Sequence, residues 1–201
     1  EAKKEQYHIE EYKNSSKRVA ELLAKGFIVG RISGKMEYGP RALGNRSIIA
    51  HPFNKNINDD LNKRLTRTEF MPFAPSVCKN KADKYYEGAK SAEYPGEFMT
   101  ITLNVKKEGQ AAEAVNHVDN TARPHFVDEE NNKEFFNVLT EFEKLSGYPI
   151  LINTSFNKHE EPIVRSALDG LERLKDDSVQ YLAVGNTVVS KTKNVENYQD
   201  P

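Results

Sequence analysis

The sequence predicts an α/β domain with a mixed sheet and flanking helices, and three observations lead to this fold class. Short apolar stretches, among them 27–32 and 148–153, are typical of strands that a sheet buries on both faces. Amphipathic helical patterns alternate with these stretches along the chain. Hairpin-like pieces stand between the units, so the predicted sheet combines parallel and antiparallel pairs.

The elements of the first half follow from periodicity and from residues that begin or end helices. In chain order they are a polar lead over 1–15, a helix that carries Val19, Leu22 and Leu23 between a cap at Ser15 or Ser16 and a stop at Gly26, strands at 27–32 and 47–50, an amphipathic helix over 54–65, and an extended segment over 70–77 whose prolines place it at a sheet edge.

The second half is predicted in the same way. In chain order its elements are a half-buried strand over 99–105, two short strands around a turn at Asp119 and Asn120, a helix that carries Phe135 to Leu145 and ends at Gly147, a strand of the parallel type over 148–153, a helix begun by a capping box of Ser166 and Asp169, and strands at 181–185 and 187–191. The chain has no internal repeat and no low-complexity linker, which predicts one domain behind the polar lead.

Composition limits the classes of protein to which the chain can belong. Its 201 residues suffice for one domain, and no apolar run approaches the ~18 residues of a membrane helix. The polar N-terminus is no signal peptide. The single cysteine, Cys78, excludes an internal disulfide and favours a cytoplasmic setting. Nine Lys and Arg against four Asp and Glu between Arg31 and Lys79 predict an anion-binding face on a chain of net charge −1.

The stretch GKMEYGPRALGNRS, residues 34–47, is the first candidate site. Its three glycines allow the backbone to bend closely around a ligand. Arg41 and Arg46 can donate charge-assisted hydrogen bonds to phosphate or carboxylate oxygens, and a helical turn at PRALGN would aim backbone amides at an anion. A structural turn, with the arginines paired to Glu37 or to nearby carbonyls, fits equally well, because no known phosphate-loop motif is present.

The stretch INTSFN, residues 152–157, is the second candidate site. It follows a predicted buried strand, and the carboxyl ends of such strands are where open α/β sheets bind ligands. Asn153, Ser155 and Asn157 can donate and accept hydrogen bonds without charge, which suits a sugar, a base or a carbamoyl-like amide. The alternative is a simple strand-to-turn junction, since Asn and Ser are common in turns.

Two further stretches carry weaker signals. Lys63 and Arg67 stand four apart on one helix face, where they either straddle phosphates or form a solvated helix end. His117 and Asp119 share one side of a strand, although a hydrogen-bonded turn explains them better than acid–base chemistry. Cys78 has no CxxC partner, and we predict no metal site.

Six stretches, taken in order, resemble the C-terminal domain of the O-carbamoyltransferase family, which includes nodulation-type and antibiotic-tailoring carbamoyltransferases. They are GKMEYGPRALGNRSIIAHP, EFMPFAPSV, HVDNTARPHFV, GYPILINTSFN, EEPIV and YLAVGNTVV. The resemblance extends from about residue 16 to residue 191. It implies a YrdC-like twisted mixed sheet with flanking helices over 16–201, and a concave basic surface that binds ATP.

The resemblance also implies an activity. In the family this domain uses ATP, with Mg²⁺, and carbamoyl phosphate to form carbamoyl-adenylate. A preceding Kae1-like domain, which this sequence does not contain, then transfers the carbamoyl group to an acceptor hydroxyl and is expected to select the acceptor. We expect neither a membrane nor a nucleic-acid partner. A basic-surface RNA- or nucleotide-binding module and a catalytically silent scaffold for the missing domain remain the alternatives.

The resemblance assigns roles to particular residues. The anion-binding arginine of the family falls on Arg41, and its asparagine and serine fall on Asn153 and Ser155, which are the predicted catalytic residues. The predicted nucleotide-binding residues are Lys35, Arg41, Arg46, Lys63, Arg67, Asn153, Ser155 and Asn157.

The chain departs from the family pattern at four positions. Lys35 stands where many members have Arg, and Glu160 stands where Gly is common. Leu65 and Met71 stand where many members carry Lys and Arg. Either one of the cations at Lys63, Arg64 and Arg67 supplies the missing charge, or nucleotide binding differs in this branch.

Overall fold

In the computed structural model, which describes residues 7–67 and 72–191, helices cover both faces of an eight-stranded mixed sheet. The strands are β1 Tyr7–Glu11, β2 Val29–Ile32, β3 Arg46–Ala50, β4 Ala74–Cys78, β5 Leu103–Asn104, β6 Thr121–Ala122, β7 His125–Val127, β8 Ile150–Ser155, β9 Tyr181–Val184 and β10 Thr187–Lys191. The helices are α1 Ser16–Ala24, α2 Asn56–Arg64, α3 Ala82–Tyr85, α4 Glu93–Glu97, α5 Lys133–Ser146 and α6 Ala167–Lys175.

The sheet mixes parallel and antiparallel pairs. Its strand order is β1-β10-β9-β2-β3-β8-β4-β7, and β5 and β6 form a separate two-stranded ribbon. The β2–β9 and β4–β7 pairs are parallel, and the other pairs of the large sheet are antiparallel. The predicted α/β fold with a mixed sheet and flanking helices is therefore confirmed.

Two hydrophobic clusters cover the two faces of the sheet. Ile48 packs into the cluster that includes residues of α2 and α6, and its neighbour Ile49 packs against α1 and α5. We call these sides the α2 face and the α5 face. Successive strand residues point to opposite faces, so a sheet that is covered on both sides needs apolar residues at every position.

The helix ends show which local signals the sequence carries. Asn132 caps α5 by accepting a hydrogen bond from the Phe135 amide at 3.2 Å, and Gly147 ends the helix with φ of 81°. The capping box at the start of α6 is present as predicted. The predicted serine cap of α1 is wrong, because the Ser15 hydroxyl donates instead to the Gly185 carbonyl at 2.8 Å.

Two strand predictions are wrong in their pairing. Strand β8 is antiparallel to both of its neighbours, β3 and β4, although its residues are apolar enough for a parallel sheet. Strand β4 is interior and not an edge, because β7 covers its outer side. Pro75 is tolerated there because it precedes Ser76, the first β4 residue that pairs with β7.

Other predicted elements are shifted or shorter. The strand expected over 99–105 shrinks to β5, and Met99 has φ of 55°, which no regular strand allows. Both β6 and β7 follow the turn at 119–120 instead of flanking it. Residues 7–11 of the predicted lead form β1 and pair with β10. Among the helices described, none has the length and hydropathy that crossing a bilayer requires.

Candidate functional site

The bend between β2 and β3, residues 33–45, contains no helical turn, and its amides face an anion that belongs to the chain itself. One carboxylate oxygen of Glu37 accepts hydrogen bonds from the amides of Leu43 at 2.8 Å, Asn45 at 2.7 Å and Arg46 at 3.1 Å. Several amides that converge on one point form an anion-binding concavity. The helical turn predicted at PRALGN is absent, and the amides form instead a nest that Glu37 fills.

Side chains from three other elements hold the carbonyls of the same bend. Asn153 of β8 donates to the Ala42 carbonyl at 3.0 Å, and Asn132 at the start of α5 donates to the Leu43 carbonyl at 3.2 Å. Arg31 of β2 donates to the Gly44 carbonyl. A backbone segment without regular secondary structure has to find such partners when it is buried. Here they fix the bend to the rest of the domain.

Two features of the structure require glycine at position 44. Its φ is +101°, a conformation that side chains rarely adopt, and a Cβ there would lie 2.3 Å from the Phe135 ring. Its amide donates to the Ser47 hydroxyl at 2.9 Å. The bend can therefore lie directly against α5 only because this position lacks a side chain.

Arg46 is buried, with 6% of its surface exposed, and its guanidinium binds the protein itself. All five N–H groups donate to backbone carbonyls, at distances from 2.8 to 3.3 Å. The acceptors are the carbonyls of Ser33, Gly34, Asn45 and Arg165. This geometry favours the structural reading of Arg46, since no donor is left for a phosphate.

Arg31 is a second buried arginine under the bend. Its guanidinium lies 5.4 Å from the centre of the Phe135 ring and 3.4 Å from a carboxylate oxygen of Glu134. Burial lowers the pKa of Arg31 to about 10, although Glu134 opposes the shift, so the side chain stays charged at neutral pH. The Arg31 guanidinium is therefore a buried positive charge on the α5 face, and solvent does not reach it.

Arg41 and Arg123 are two arginines near the bend whose guanidinium groups are not bound to a carboxylate in the described part of the chain. Arg41 is exposed on the bend, and Arg123 lies between β6 and β7. The pKa of Arg123 is lowered, first by burial and then by the charge of Arg41, so the two guanidinium groups repel each other. Within the described ranges neither forms a salt bridge, and the buried Nε of Arg123 has no hydrogen-bond partner. Two adjacent cations in this state can bind an anion.

Three buried side chains form a polar cluster behind these arginines. Asn153 donates to the Ser76 hydroxyl at 2.9 Å, and Ser76 lies 2.9 Å from Nδ1 of His125. Burial lowers the pKa of His125 to about 3, so its ring is neutral at physiological pH. Asn153 is 1% exposed, which makes it a supporting residue of the bend rather than part of an open surface.

The remaining predicted residues of the INTSFN stretch lie near this cluster or beyond it. Ser155 is partly exposed at the end of β8, on the same face as Asn153. Asn157 donates to the carbonyls of Lys158 and Glu161 at 2.8 and 2.9 Å and so holds the following turn. Lys35 is exposed on the bend. Its assignment to a nucleotide stays a prediction.

The structure separates the second predicted group of cations from Arg41. Arg67 donates to the Thr154 hydroxyl at 3.0 Å and lies 5.1 Å from the centre of the Phe73 ring, which belongs to the α2 face. Burial lowers the pKa of Arg67. Lys63 is exposed on α2. Arg64 is bound to Asp60 at 2.9 Å. These residues lie across the sheet from Asn153.

Leu65 and Met71, two of the four positions that depart from the family pattern, differ in how far the structure describes them. Leu65 is completely buried in the cluster on the α2 face, as an apolar core residue would be. Met71 lies outside the described residues. Arg123, for which the sequence analysis made no prediction, adds a cation close enough to Arg41 for their charges to interact. Its signal was an arginine inside the quoted stretch HVDNTARPHFV with no acidic neighbour within three residues.

The other candidates have structural explanations. The hydroxyl of Thr121 donates to Asp119 at 2.7 Å and lies 2.9 Å from Nδ1 of His117, so these residues form the predicted hydrogen-bonded turn. That Thr121 hydroxyl also lowers the pKa of Asp119. Burial raises the pKa of the Cys78 thiol to about 11. Over the described ranges, no group of three or more His, Cys, Asp or Glu could hold a metal.

A separate cleft of about 820 Å³ lies between the first half of α2 and residues 110–120. Its lining is rich in uncharged amides, with Asn56, Asn58, Gln110, Asn116 and Asn120. Neither Arg41 nor Arg123 borders it. The cleft and the arginine pair are therefore distinct features of the surface.

Comparison with known proteins agrees with the resemblance in the sequence. The family model of the carbamoyltransferase C-terminus matches residues 20–191. Nodulation protein NolNO of Sinorhizobium fredii is 38% identical over 186 residues, which cover 91% of this chain and 27% of that protein. The 3'-hydroxymethylcephem-O-carbamoyltransferase of Streptomyces clavuligerus is 31% identical over 171 residues, covering 84% of this chain and 32% of the enzyme. The chain thus spans about a third or less of these relatives.

The fold is also found in a solved structure. The crystal structure of full-length HypF in the phosphate- and nucleotide-bound form matches with a TM-score of 0.58 at 19% identity. The match covers 86% of this chain and 25% of HypF. At this level of identity the likeness concerns the fold alone, and it agrees with the expected YrdC-like architecture.

Proposed function

Because the chain belongs to the carbamoyltransferase C-terminus family, we propose that it is the part of an O-carbamoyltransferase that forms carbamoyl-adenylate. In this proposal it binds ATP, accompanied by Mg²⁺, together with carbamoyl phosphate. The remainder of the longer enzyme, which corresponds to the Kae1-like domain of the family, then transfers the carbamoyl group to an acceptor hydroxyl.

The observation that carries the proposal is the pair of cations at Arg41 and Arg123. The charge of Arg41 adds to burial in lowering the pKa of Arg123, and in the described part of the chain no carboxylate forms a salt bridge with either arginine. An anion that binds between them relieves this repulsion and gains forked, charge-assisted hydrogen bonds. ATP and carbamoyl phosphate, the substrates used in the family, both carry phosphate groups that would bind between the two arginines.

The chemistry of adenylation fits a site that is built from cations. Overall, ATP, carbamoyl phosphate and water give carbamoyl-adenylate, pyrophosphate and phosphate. Negative charge is spread over the transferring α-phosphoryl group during the reaction, so catalysis depends on positioning and on electrostatic stabilisation. Arg41, held by the bend, would supply fixed charge, and Ser155 would supply an uncharged hydroxyl nearby.

The test is the binding of ATP and the release of pyrophosphate by the purified chain, with and without carbamoyl phosphate. We expect ATP to bind with Mg²⁺ present, and Arg41→Ala and Arg123→Ala each to weaken binding about tenfold or more, because each removes a charge-assisted contact. Lys144→Ala is the matched control. It removes a cation at the far end of α5 that is paired with Glu141, and it should bind ATP like the wild type.

The outcomes separate the proposal from its alternatives. Pyrophosphate release that depends on carbamoyl phosphate supports the full activity, and ATP binding that is lost on replacing Arg41 supports the assigned site. A chain that binds no ATP contradicts the proposal and favours the scaffold reading. Tight RNA binding that weakens steeply with salt, without ATP binding, would favour the RNA-binding module instead.

A further inference from the structure

We infer that Ser76 and His125 are positioning residues for Arg41, which act through a directional chain of hydrogen bonds that ends on the Ala42 carbonyl. The inference rests on the proposed function, since it takes Arg41 to be the phosphate-binding residue. Neither Ser76 nor His125 reaches the exposed bend. Both lie on strands of the sheet beneath it.

The direction of the chain follows from its first member. The Ala42 carbonyl can only accept a hydrogen bond, so the Asn153 atom that lies 3.0 Å away is its amide nitrogen, Nδ2. The same nitrogen lies 2.9 Å from the Ser76 hydroxyl oxygen. Because Nδ2 is a donor, that oxygen accepts, and the hydroxyl hydrogen of Ser76 remains available to donate.

The last member fixes where this hydrogen goes. The Ser76 oxygen lies 2.9 Å from Nδ1 of His125, and Asn153 Nδ2 lies 3.4 Å from the same atom. The Asn153 amide nitrogen cannot accept a hydrogen bond, and we take the Ser76 hydroxyl to donate to Nδ1, so Nδ1 is the acceptor and the ring carries its proton on Nε2. The neutral ring that burial enforces permits this tautomer. The Asn153 amide therefore donates in two directions, to the Ala42 carbonyl of the bend and to the Ser76 hydroxyl, which in turn donates to His125.

Each hydrogen bond of this chain is costly to lose, because its donor and acceptor are buried. Ser76 is 0% exposed, Asn153 is 1% exposed and His125 is 4% exposed, so water cannot replace a missing partner. If the Ser76 hydroxyl is absent, Asn153 loses the acceptor that orients its amide. A rotated amide would set an oxygen against the Ala42 carbonyl and push the bend away. Arg41 is the next residue, so its position depends on an interaction that begins at His125.

The experiment compares Ser76→Ala, His125→Leu and His125→Gln by titration with inorganic pyrophosphate and by thermal unfolding. We expect Ser76→Ala and His125→Leu to weaken pyrophosphate binding about tenfold. His125→Gln should bind within about threefold of the wild type, because the glutamine amide oxygen can accept from Ser76. Ser178→Ala is the matched control, a fully buried serine outside this cluster, which should lower the melting temperature and leave pyrophosphate binding unchanged.

Two results would overturn the inference. One is wild-type affinity in Ser76→Ala, and the other is equal affinity in His125→Leu and His125→Gln. A measurement on the wild type needs no variant. The ¹⁵N chemical shifts of the His125 ring should report the Nε2–H tautomer from pH 5 to 8, and an Nδ1–H tautomer contradicts the chain of hydrogen bonds.

The failure of the proposed function would look different. If the wild type binds no pyrophosphate, the proposal that Arg41 binds phosphate is refuted, regardless of the affinities of the variants. The positioning effect is then read from the backbone amide shifts of Arg41 and Ala42. A large change in Ser76→Ala with little change in His125→Gln supports positioning, and unchanged shifts in Ser76→Ala refute it.

Discussion

Replacing Arg46 distinguishes a structural arginine from a phosphate ligand. The sequence assigns this residue to the nucleotide, whereas the structure commits all five of its N–H groups to carbonyls of the chain. A structural residue that is removed lowers stability, and a surface ligand that is removed lowers affinity alone. Arg46→Ala and Arg46→Lys test which description holds.

The magnitude follows from the four carbonyls that lose their donor. Gly34 and Arg165 are exposed, so water can replace the guanidinium there. Ser33 is buried, and its unpaired carbonyl costs about 1–3 kcal/mol, whereas the Asn45 carbonyl still accepts from the Ser33 amide at 3.1 Å. With the buried arginine stem also lost, Arg46→Ala should cost about 3–5 kcal/mol. For a domain of this size the melting temperature then falls by about 6–20 °C.

The assay is thermal unfolding followed by far-UV circular dichroism, with ATP titrations on the same samples. Arg46→Lys should recover about half of the lost stability, because an ammonium group offers three donors from a single point. Arg18→Ala is the control, since it breaks a partly exposed ion pair with Glu10 and should cost less than about 1 kcal/mol. The structural reading is refuted if Arg46→Ala melts within about 2 °C of the wild type yet no longer binds ATP.

Three further predictions concern single features of the core and the bend. Burial lowers the pKa of His125 from 6.5 to about 3, so the unfolded chain binds the extra proton between these values and stability falls as the pH drops. Urea unfolding should show a loss from pH 7 to 5 that is larger by about 2 kcal/mol in the wild type than in His125→Gln, and equal losses would contradict this. Gly44→Ala places a Cβ 2.3 Å from Phe135 at a φ of +101° and should destabilise by about 2–4 kcal/mol in the same assay; a change below about 0.5 kcal/mol would show that the bend can move away. Burial raises the pKa of Cys78 to about 11, so iodoacetamide at pH 8 should modify the native protein at least ~100-fold more slowly than the urea-unfolded chain, and comparable rates would mean that the thiol is accessible.

Local signals in the sequence predicted the four longer helices, α1, α2, α5 and α6, and missed the short helices α3 and α4. The apolar spacing of α5, its end at Gly147 and the capping box of α6 are each set by residues within a few positions of one another. Strand pairing depends on distant partners. The apolar run of β8 reflects a sheet covered on both faces, which antiparallel neighbours provide as well as parallel ones. The sequence alone could not distinguish the two cases.

The candidate site also depends on contacts between residues that are distant in the sequence, and these could not be predicted. The motif around Arg41 indicated an anion-binding bend, and the amides are there, but an amide nest has the same sequence signature whether a ligand or Glu37 fills it. Arg46 and Arg41 are five residues apart, yet one is buried and the other exposed. That difference arises because Arg165, which is 119 residues away, supplies a carbonyl to Arg46. No local pattern records such a contact.

The bend also has a consequence for how the protein folds. The partners that hold its carbonyls, Asn132 and Asn153, lie 89 and 111 residues further along the chain, and contacts of this separation are closed late because the intervening chain must first be ordered. The sheet pairs of similar separation, such as Ile49 with Asn153, have to form as well, so the anion site is complete only when the sheet is assembled. A ligand present at a hundred times its dissociation constant adds about 2.7 kcal/mol to the completed molecule and nothing to forms in which the site is not assembled. Anion binding at this bend therefore measures the fraction of molecules in which the site is fully assembled.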